Sequence, residues 1–168
     1  MYIYQDEVTL PKDKLKNLDF DWKGKSVIEL GANIGKLGVY VLEQGAKNYK
    51  GYDIDSSMVQ IGIERYSLDL EQMDITKGEF EADVVVAMAL FHHLKEKDLI
   101  KVMESIHSKE LVFEVPVGSN DVGLYNTRTL EKYTKLIEKC YGEIVEVIES
   151  GATNDPYNKR TIFYCRKK

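Results

Sequence analysis

Apolar positions along the 168-residue chain fall in short blocks whose period switches between strand-like and helix-like. Ser26-Val27-Ile28-Glu29-Leu30 reads as a buried strand, and a glycine-bearing turn from Gly31 to Gly35 follows it. Gly35 to Gln44 predicts a helix with Leu37, Val41 and Leu42 inward and Gly45 as its C-terminal cap. Asn48 to Ile54 is a second strand. Asp55 or Ser56 then caps a helix to about Tyr66, with Met58, Val59, Ile61 and Ile63 on its apolar face. Leu68 to Met73 is a weaker third strand. The valine run in Asp83 to Met88 implies a fourth, buried on both faces. Lys95 to Ile106 reads as a helix. Glu110 to Val115 reads as a fifth strand stopped by Pro116. Thr127 to Tyr141 is a helix capped by Thr127 or Asn126 and ended by Gly142. Glu143 to Glu149 and Arg160 to Arg166 form a closing pair of strands. Upstream, Pro11 starts a short helix toward Asn17 or Asp19 that carries Leu15 and Leu18 on one face.

Strands alternating with helices imply an α/β, mostly parallel sheet covered on both faces, and the last two strands, with no helix between them, pair antiparallel. Only Asp74 to Ala82 separates the third and fourth strands. A parallel crossover usually takes a dozen or more residues, so the helix expected there is a single turn or absent. No repeat or linker interrupts the chain. The expectation is one domain over 1–168, with an N-terminal cap segment (1–23) and a core (24–168), in line with about 150 residues per domain. A composition of 43% hydrophobic and 30% charged residues belongs to a folded chain. The longest apolar run, Val84 to Phe91, is too short to cross a bilayer, and the first residues lack the apolar stretch of a secretory signal. No membrane partner and a cytoplasmic location are expected. Cys140 and Cys165 lack CxxC spacing, so no zinc site is expected. A net charge of −5 disfavours a strongly basic nucleic-acid binder, though it is compatible with a local basic patch.

The sharpest chemical signal is Glu29-Leu30-Gly31-Ala32-Asn33-Ile34-Gly35-Lys36, lying between a strand and a helix. Small residues let the backbone approach a ligand closely, and the helix start offers free N–H groups. Asp53 ends the next strand, where a carboxylate can accept hydrogen bonds from both hydroxyls of a ribose. A dinucleotide needs glycine where Asn33 stands, which disfavours a nicotinamide oxidoreductase. An adenosine-bearing cofactor without a pyrophosphate tolerates Asn33 better. The competing reading is a plain tight turn.

On these residues the chain resembles the class I S-adenosylmethionine-dependent methyltransferases from Gly24 onward. Val27 to Gly35 is similar to the first family motif in its Gly-Ala-Asn-x-Gly variant. Gly51 to Met58 resembles the second, Met73-Asp74-Ile75 the third, and Ala82 to Met88 the fourth. The resemblance implies a Rossmann-like seven-stranded sheet in the order 3-2-1-4-5-7-6 with S-adenosyl-L-methionine as cofactor. It also implies roles. Glu29 lies near the methionine amino group, and Gly31, Ala32, Asn33 and Gly35 wrap the cofactor. Asp53 and Ile54 meet the ribose side, and Met58 flanks the adenosine. Asp74 reaches the adenine amino group with Ile75 on the ring, and Met88 and Ala89 offer backbone contacts.

Methyl transfer to a hydroxyl also needs a base near neutral pKa, and Phe91-His92-His93-Leu94 follows the fourth strand on the rim where ligands bind. His92 and His93 are the candidates, and packing roles for both are the competing reading. Met88-Ala89-Leu90 supplies no oxygen ligand for Mg²⁺, so no metal is expected. Asn154-Asp155-Pro156-Tyr157-Asn158 looks superficially like the motif of base-modifying enzymes but reads better as a hairpin turn. Tyr4 and Tyr125 are candidate acceptor contacts in the variable segments. The expected acceptor is a small polar molecule. The alternatives are RNA or a nucleotide, and a cofactor-binding, non-catalytic partner subunit. The oligomeric state is left open.

Overall fold

The computed structural model describes residues 11–117, 128–150 and 160–168. Its elements in chain order are α1 (Pro11–Lys14), β1 (Ser26–Leu30), α2 (Lys36–Glu43), β2 (Asn48–Asp53), α3 (Ser56–Tyr66), β3 (Leu70–Gln72), β4 (Val84–Met88), α4 (Glu96–Glu104), β5 (Glu110–Pro116), α5 (Leu130–Cys140), β6 (Gly142–Glu149) and β7 (Arg160–Lys167). Single 3₁₀ turns lie at Ile75–Lys77 and Phe91–His93.

The strands form one seven-stranded sheet in the order β3-β2-β1-β4-β5-β7-β6. β7 runs antiparallel to both neighbours and the other pairings are parallel, which is the expected doubly wound α/β sheet. Two apolar layers sandwich it. Val27, Val86 and Val112 face α2, α3 and the segment after α1 through Leu37, Val41, Val59 and Leu15. Val85, Leu111 and Phe113 face α4 and α5 through Leu99, Met103, Tyr133 and Ile137. β4, buried on both faces, reads as continuous valine for that reason. The crossover from β3 to β4 holds only the Ile75–Lys77 turn, as its length requires. The sheet ends on one side in the three-residue β3 and on the other in the eight-residue β6, which carries a register shift between Ile144 and Glu146.

Several boundaries move. α1 stops at Lys14, although Leu15 and Leu18 are still buried. Leu42 and Ile63 turn outward, because α2 and α3 cover the sheet with narrower stripes in which glycines 38 and 62 take the closest approach. Gln44 caps α2, with Gly45 just beyond it at φ +90° and the paired bonds of a Schellman turn, Ala46 N–H to Val41 and Gly45 N–H to Leu42. Thr129 caps α5, its hydroxyl accepting from the Lys132 N–H at 3.2 Å, whereas Asn126 and Thr127 lie outside the described residues. Gly142 opens β6 instead of closing the helix. Among the described residues no helix is long and apolar enough to cross a membrane.

Candidate active site

In doubly wound sheets the ligand crevice lies outside the carboxyl ends of the strands where the order reverses, which here are those of β1, β2 and β4. The turn after β1 is fastened to β2: Gly31 and Ala32 N–H both donate to the Tyr52 carbonyl, at 2.8 and 2.9 Å. Gly31 (φ +73°) and Gly35 (φ +81°) occupy left-handed backbone, and a Cβ on them would press on Leu90 and Leu68 respectively. Asn33 also adopts a positive φ (52°), and its side-chain oxygen accepts from the Ile34 N–H at 2.9 Å, which eases that conformation.

Asp53 stands at the centre of this arrangement. One carboxylate oxygen accepts from the Asn33 N–H at 2.7 Å and the other from the Asp55 N–H at 2.9 Å. A carboxylate has about four acceptor positions, so room for further donors is left on the same group. Beside it Ile54 is 70% exposed, an apolar side chain without cover at the crevice edge. Met58 is half-buried in the first turn of α3, whose N-cap Asp55 accepts from the Ser57 and Met58 N–H groups.

Glu29 is 1% exposed and accepts from the Tyr49 hydroxyl at 2.6 Å. Burial pushes its carboxyl up to about 8, a rise that the Tyr49 bond and the Lys14 ammonium only partly offset. A folded-state pKa above the unfolded one means stability that is full in acid and is lost as pH rises through about 8. Buried His92 acts in the opposite sense, and only below its ordinary 6.5. Between pH 6.5 and 8 the Glu29 contribution therefore stands apart from that of His92. Denaturant titrations should show stability falling across this window in the wild type and a flatter profile in Glu29→Gln. An unchanged slope in that variant would contradict the assignment.

The adenine-side candidates are arranged differently from each other. Asp74 caps the Ile75–Lys77 turn, accepting from Thr76 N–H and Oγ1 at 3.1 and 2.7 Å, and these bonds hold its carboxyl below the usual range. Ile75 is buried in the core. At the end of β4, Ala89 has φ 55° and donates its N–H to the Glu114 carbonyl at 3.0 Å, which turns the chain away from the sheet just after Met88. The two histidine rings lie against each other with centroids 4.1 Å apart and planes tilted by 37°. His92 is buried, and burial followed by the neighbouring His93 and Arg160 charges drives its pKa down to about 3. His93 is exposed, with a smaller downward shift.

One pair escaped the sequence reading. Glu114 follows Val112 on the inner face of β5, in a row with Met88 and Ile162. Its side chain is fully buried, and Lys14 of α1 meets it at 3.0 Å. A glutamate in an apolar strand was the available signal, but its partner lies 100 positions away. Tyr4, Tyr125 and residues 154–158 lie outside the described residues.

Residues 27–109 match the family model described as a methyltransferase domain. These residues, just under half of the chain, are thus similar to methyltransferase domains. A segment is 35% identical over 77 residues to the ribosomal protein L11 methyltransferase of Marinomonas sp. (strain MWYL1), covering 42% of this chain and 26% of that protein. The corresponding protein of Actinobacillus succinogenes is 39% identical over 83 residues, covering 45% of this chain and 28% of its own length. The match thus spans little more than a quarter of these relatives. Among solved structures, the magnesium protoporphyrin IX methyltransferase of Synechocystis PCC 6803 with bound SAH superimposes with a TM-score of 0.75 at 13% identity, over 92% of this chain and 78% of that one. A TehB-like SAM-dependent methyltransferase of Corynebacterium glutamicum gives 0.75 at 14% identity, over 99% and 92%. At such identities the likeness speaks for the fold. The residues at these strand ends fit S-adenosylmethionine on three local features: a half-buried Asp53 carboxylate with acceptor positions to spare, an uncovered Ile54 and a glycine turn that admits close approach.

Proposed function

We propose that this chain transfers a methyl group from S-adenosylmethionine to a small polar acceptor, without a metal. The bound cofactor supplies a methyl carbon already activated by its sulfonium, so that transfer is an in-line displacement. The work left to the protein is to hold both partners, align them and keep water out. Asp53 grips the ribose hydroxyls, Ile54 and Met58 flank the adenosine, and the 31–35 turn supports the chain between them. Glu29 accepts from the methionine amino group. Met88 and Ala89 line the passage to the acceptor. The observation that carries this reading is the Asp53 carboxylate, fixed by two backbone N–H groups and still able to accept more.

For the proton of a hydroxyl acceptor, His93 suits better than His92. A base held near 3 is a weak acceptor at neutral pH, whereas His93 is exposed on the same rim. His93→Ala should therefore lower kcat by about 100-fold, with S-adenosylhomocysteine affinity unchanged. Full turnover in that variant would remove the base from the mechanism. The absence of oxygen side chains in Met88-Ala89-Leu90 supports metal independence.

A protein acceptor is the second reading, favoured by the likeness to ribosomal protein L11 methyltransferases. The test is calorimetry with S-adenosylhomocysteine, followed by transfer of labelled methyl to small hydroxyl and amine compounds, RNA and ribosomal protein. Failure to bind the product would overturn the reading. Binding without turnover on every acceptor would point to a non-catalytic partner subunit.

A further inference from the structure

At the pole opposite the crevice, the amino ends of β1, β4 and β5 and the carboxyl end of β7 surround a cavity of about 550 Å³. Five cations line it, from three separate stretches: Lys23 and Lys25, Lys109, and Arg166 and Lys167. Two carboxylates, Asp83 and Glu110, stand against them, which leaves a formal excess of three positive charges in a chain whose total is −5. The sequence disperses these charges over 145 positions. The antiparallel β7 brings them together, with the Lys167 N–H donating to the Lys109 carbonyl at 2.9 Å.

Both carboxylates are engaged within the fold. Asp83 accepts from the Ser26 N–H and hydroxyl at 2.9 and 2.8 Å, and Glu110 is shared between Lys25 and the Tyr164 hydroxyl. Lys23, Lys109 and Arg166 form no ion pair among the described residues. Gly24, at φ +74° on the lining, has nothing within 4 Å of a Cβ built upon it, so the backbone there is open to a ligand. The nearby rings offer no stacking platform: Tyr141 and Tyr164 are buried, with Lys167 and Arg166 laid over them at 5.0 and 5.6 Å. Lys167 and Arg166 also donate to the Ile106 carbonyl and the Tyr164 hydroxyl, and Lys25 lies over half-buried Phe20, so Lys23 and Lys109 are the cations held least by the fold. A concave cationic wall whose neighbouring rings are already covered by its own cations reads charge and oxygen geometry, not bases.

We propose that this basal cavity is a second binding site, separate from the methyl-transfer crevice, that takes the phosphate groups of a ligand. Such groups come either from a compact polyphosphate compound or from a nucleic-acid backbone. The site stands independently of the methyltransferase reading. Lys23 and Lys109 are both exposed, so Lys23→Glu/Lys109→Glu reverses the field without touching the core or the crevice.

The test titrates tripolyphosphate and, separately, dodecauridylate into wild type and the double variant at about 50 mM salt, with S-adenosylhomocysteine as a control on the same samples. Wild type should bind at least one probe. The double variant should bind it at least about ten-fold more weakly, while the control is unchanged. One-to-one binding of tripolyphosphate identifies a compact ligand. Binding of dodecauridylate alone, with a log–log salt slope near about −2 for three phosphates, identifies a nucleic-acid backbone. Failure of both probes to bind wild type, or equal binding by the variant, overturns the proposal. Loss of the control alone strikes the crevice reading and leaves this one intact.

Discussion

Asp53→Ala should weaken S-adenosylhomocysteine binding by about 100-fold, because two hydrogen bonds to a charged acceptor are together worth roughly 3 kcal/mol. The same carboxylate also ties the Asn33 and Asp55 N–H groups, so alanine removes the grip and slackens the turn at once. Asp53→Asn removes less of both. Its amide keeps one acceptor oxygen, so one of the two N–H ties survives while the other faces an NH2 group, and a loss of about ten-fold is expected with a smaller fall in Tm than for alanine. Calorimetric titration of the product, alongside thermal melts, reads both quantities. If the alanine variant binds within a few-fold of wild type, Asp53 does not hold the ribose and the cofactor site lies elsewhere.

The second large effect belongs to Lys14. Replacing it by methionine keeps most of the apolar stem but strands the Glu114 carboxylate, whose side chain is wholly covered and whose second oxygen has no partner among the described residues. Breaking a buried pair on one side costs about 3–5 kcal/mol, whereas replacing both members by apolar groups is often nearly neutral. Lys14→Met should therefore lower Tm by roughly 10 °C in a domain of this size. Lys14→Met/Glu114→Leu should recover most of that. Additive losses in the double variant would show that the two side chains do not act as a pair. The outcome bears on the site as well as on stability. Glu114 sits beside Met88 in the sheet, so this ion pair fastens α1 to the strands next to the proposed acceptor passage.

Local signals carried most of the fold. β1 and α3 fall on the expected residues because their ends are written in short-range chemistry: Gly31 after the strand, and Asp55 capping the helix. The strand order followed from family likeness together with the missing helix between the last two strands, and the pairing agrees with it. What escaped was long-range. Leu42 and Leu37 look alike in a helical pattern, and only the approach of Gly38 to Tyr49 decides which face is covered. The burial of His92 depends on how the turn after β4 folds back. Glu114 draws its meaning from a lysine at the other end of the chain, and the basal cations are gathered only once β7 has paired with β5. Periodicity reports neighbours within one element and is blind to such meetings.

The two margins of the sheet also bear on how the protein behaves at high concentration. β3 offers only three residues of open ladder, too short a template for another chain to extend. β6 is longer and shows Val145 and Val147 to solvent, but Glu143, Glu146 and Glu149 alternate with them and the irregularity at Ile144/Glu146 spoils a flat edge. Among the described residues, stacking of molecules margin to margin is thus opposed by geometry on one side and by like-charge repulsion on the other.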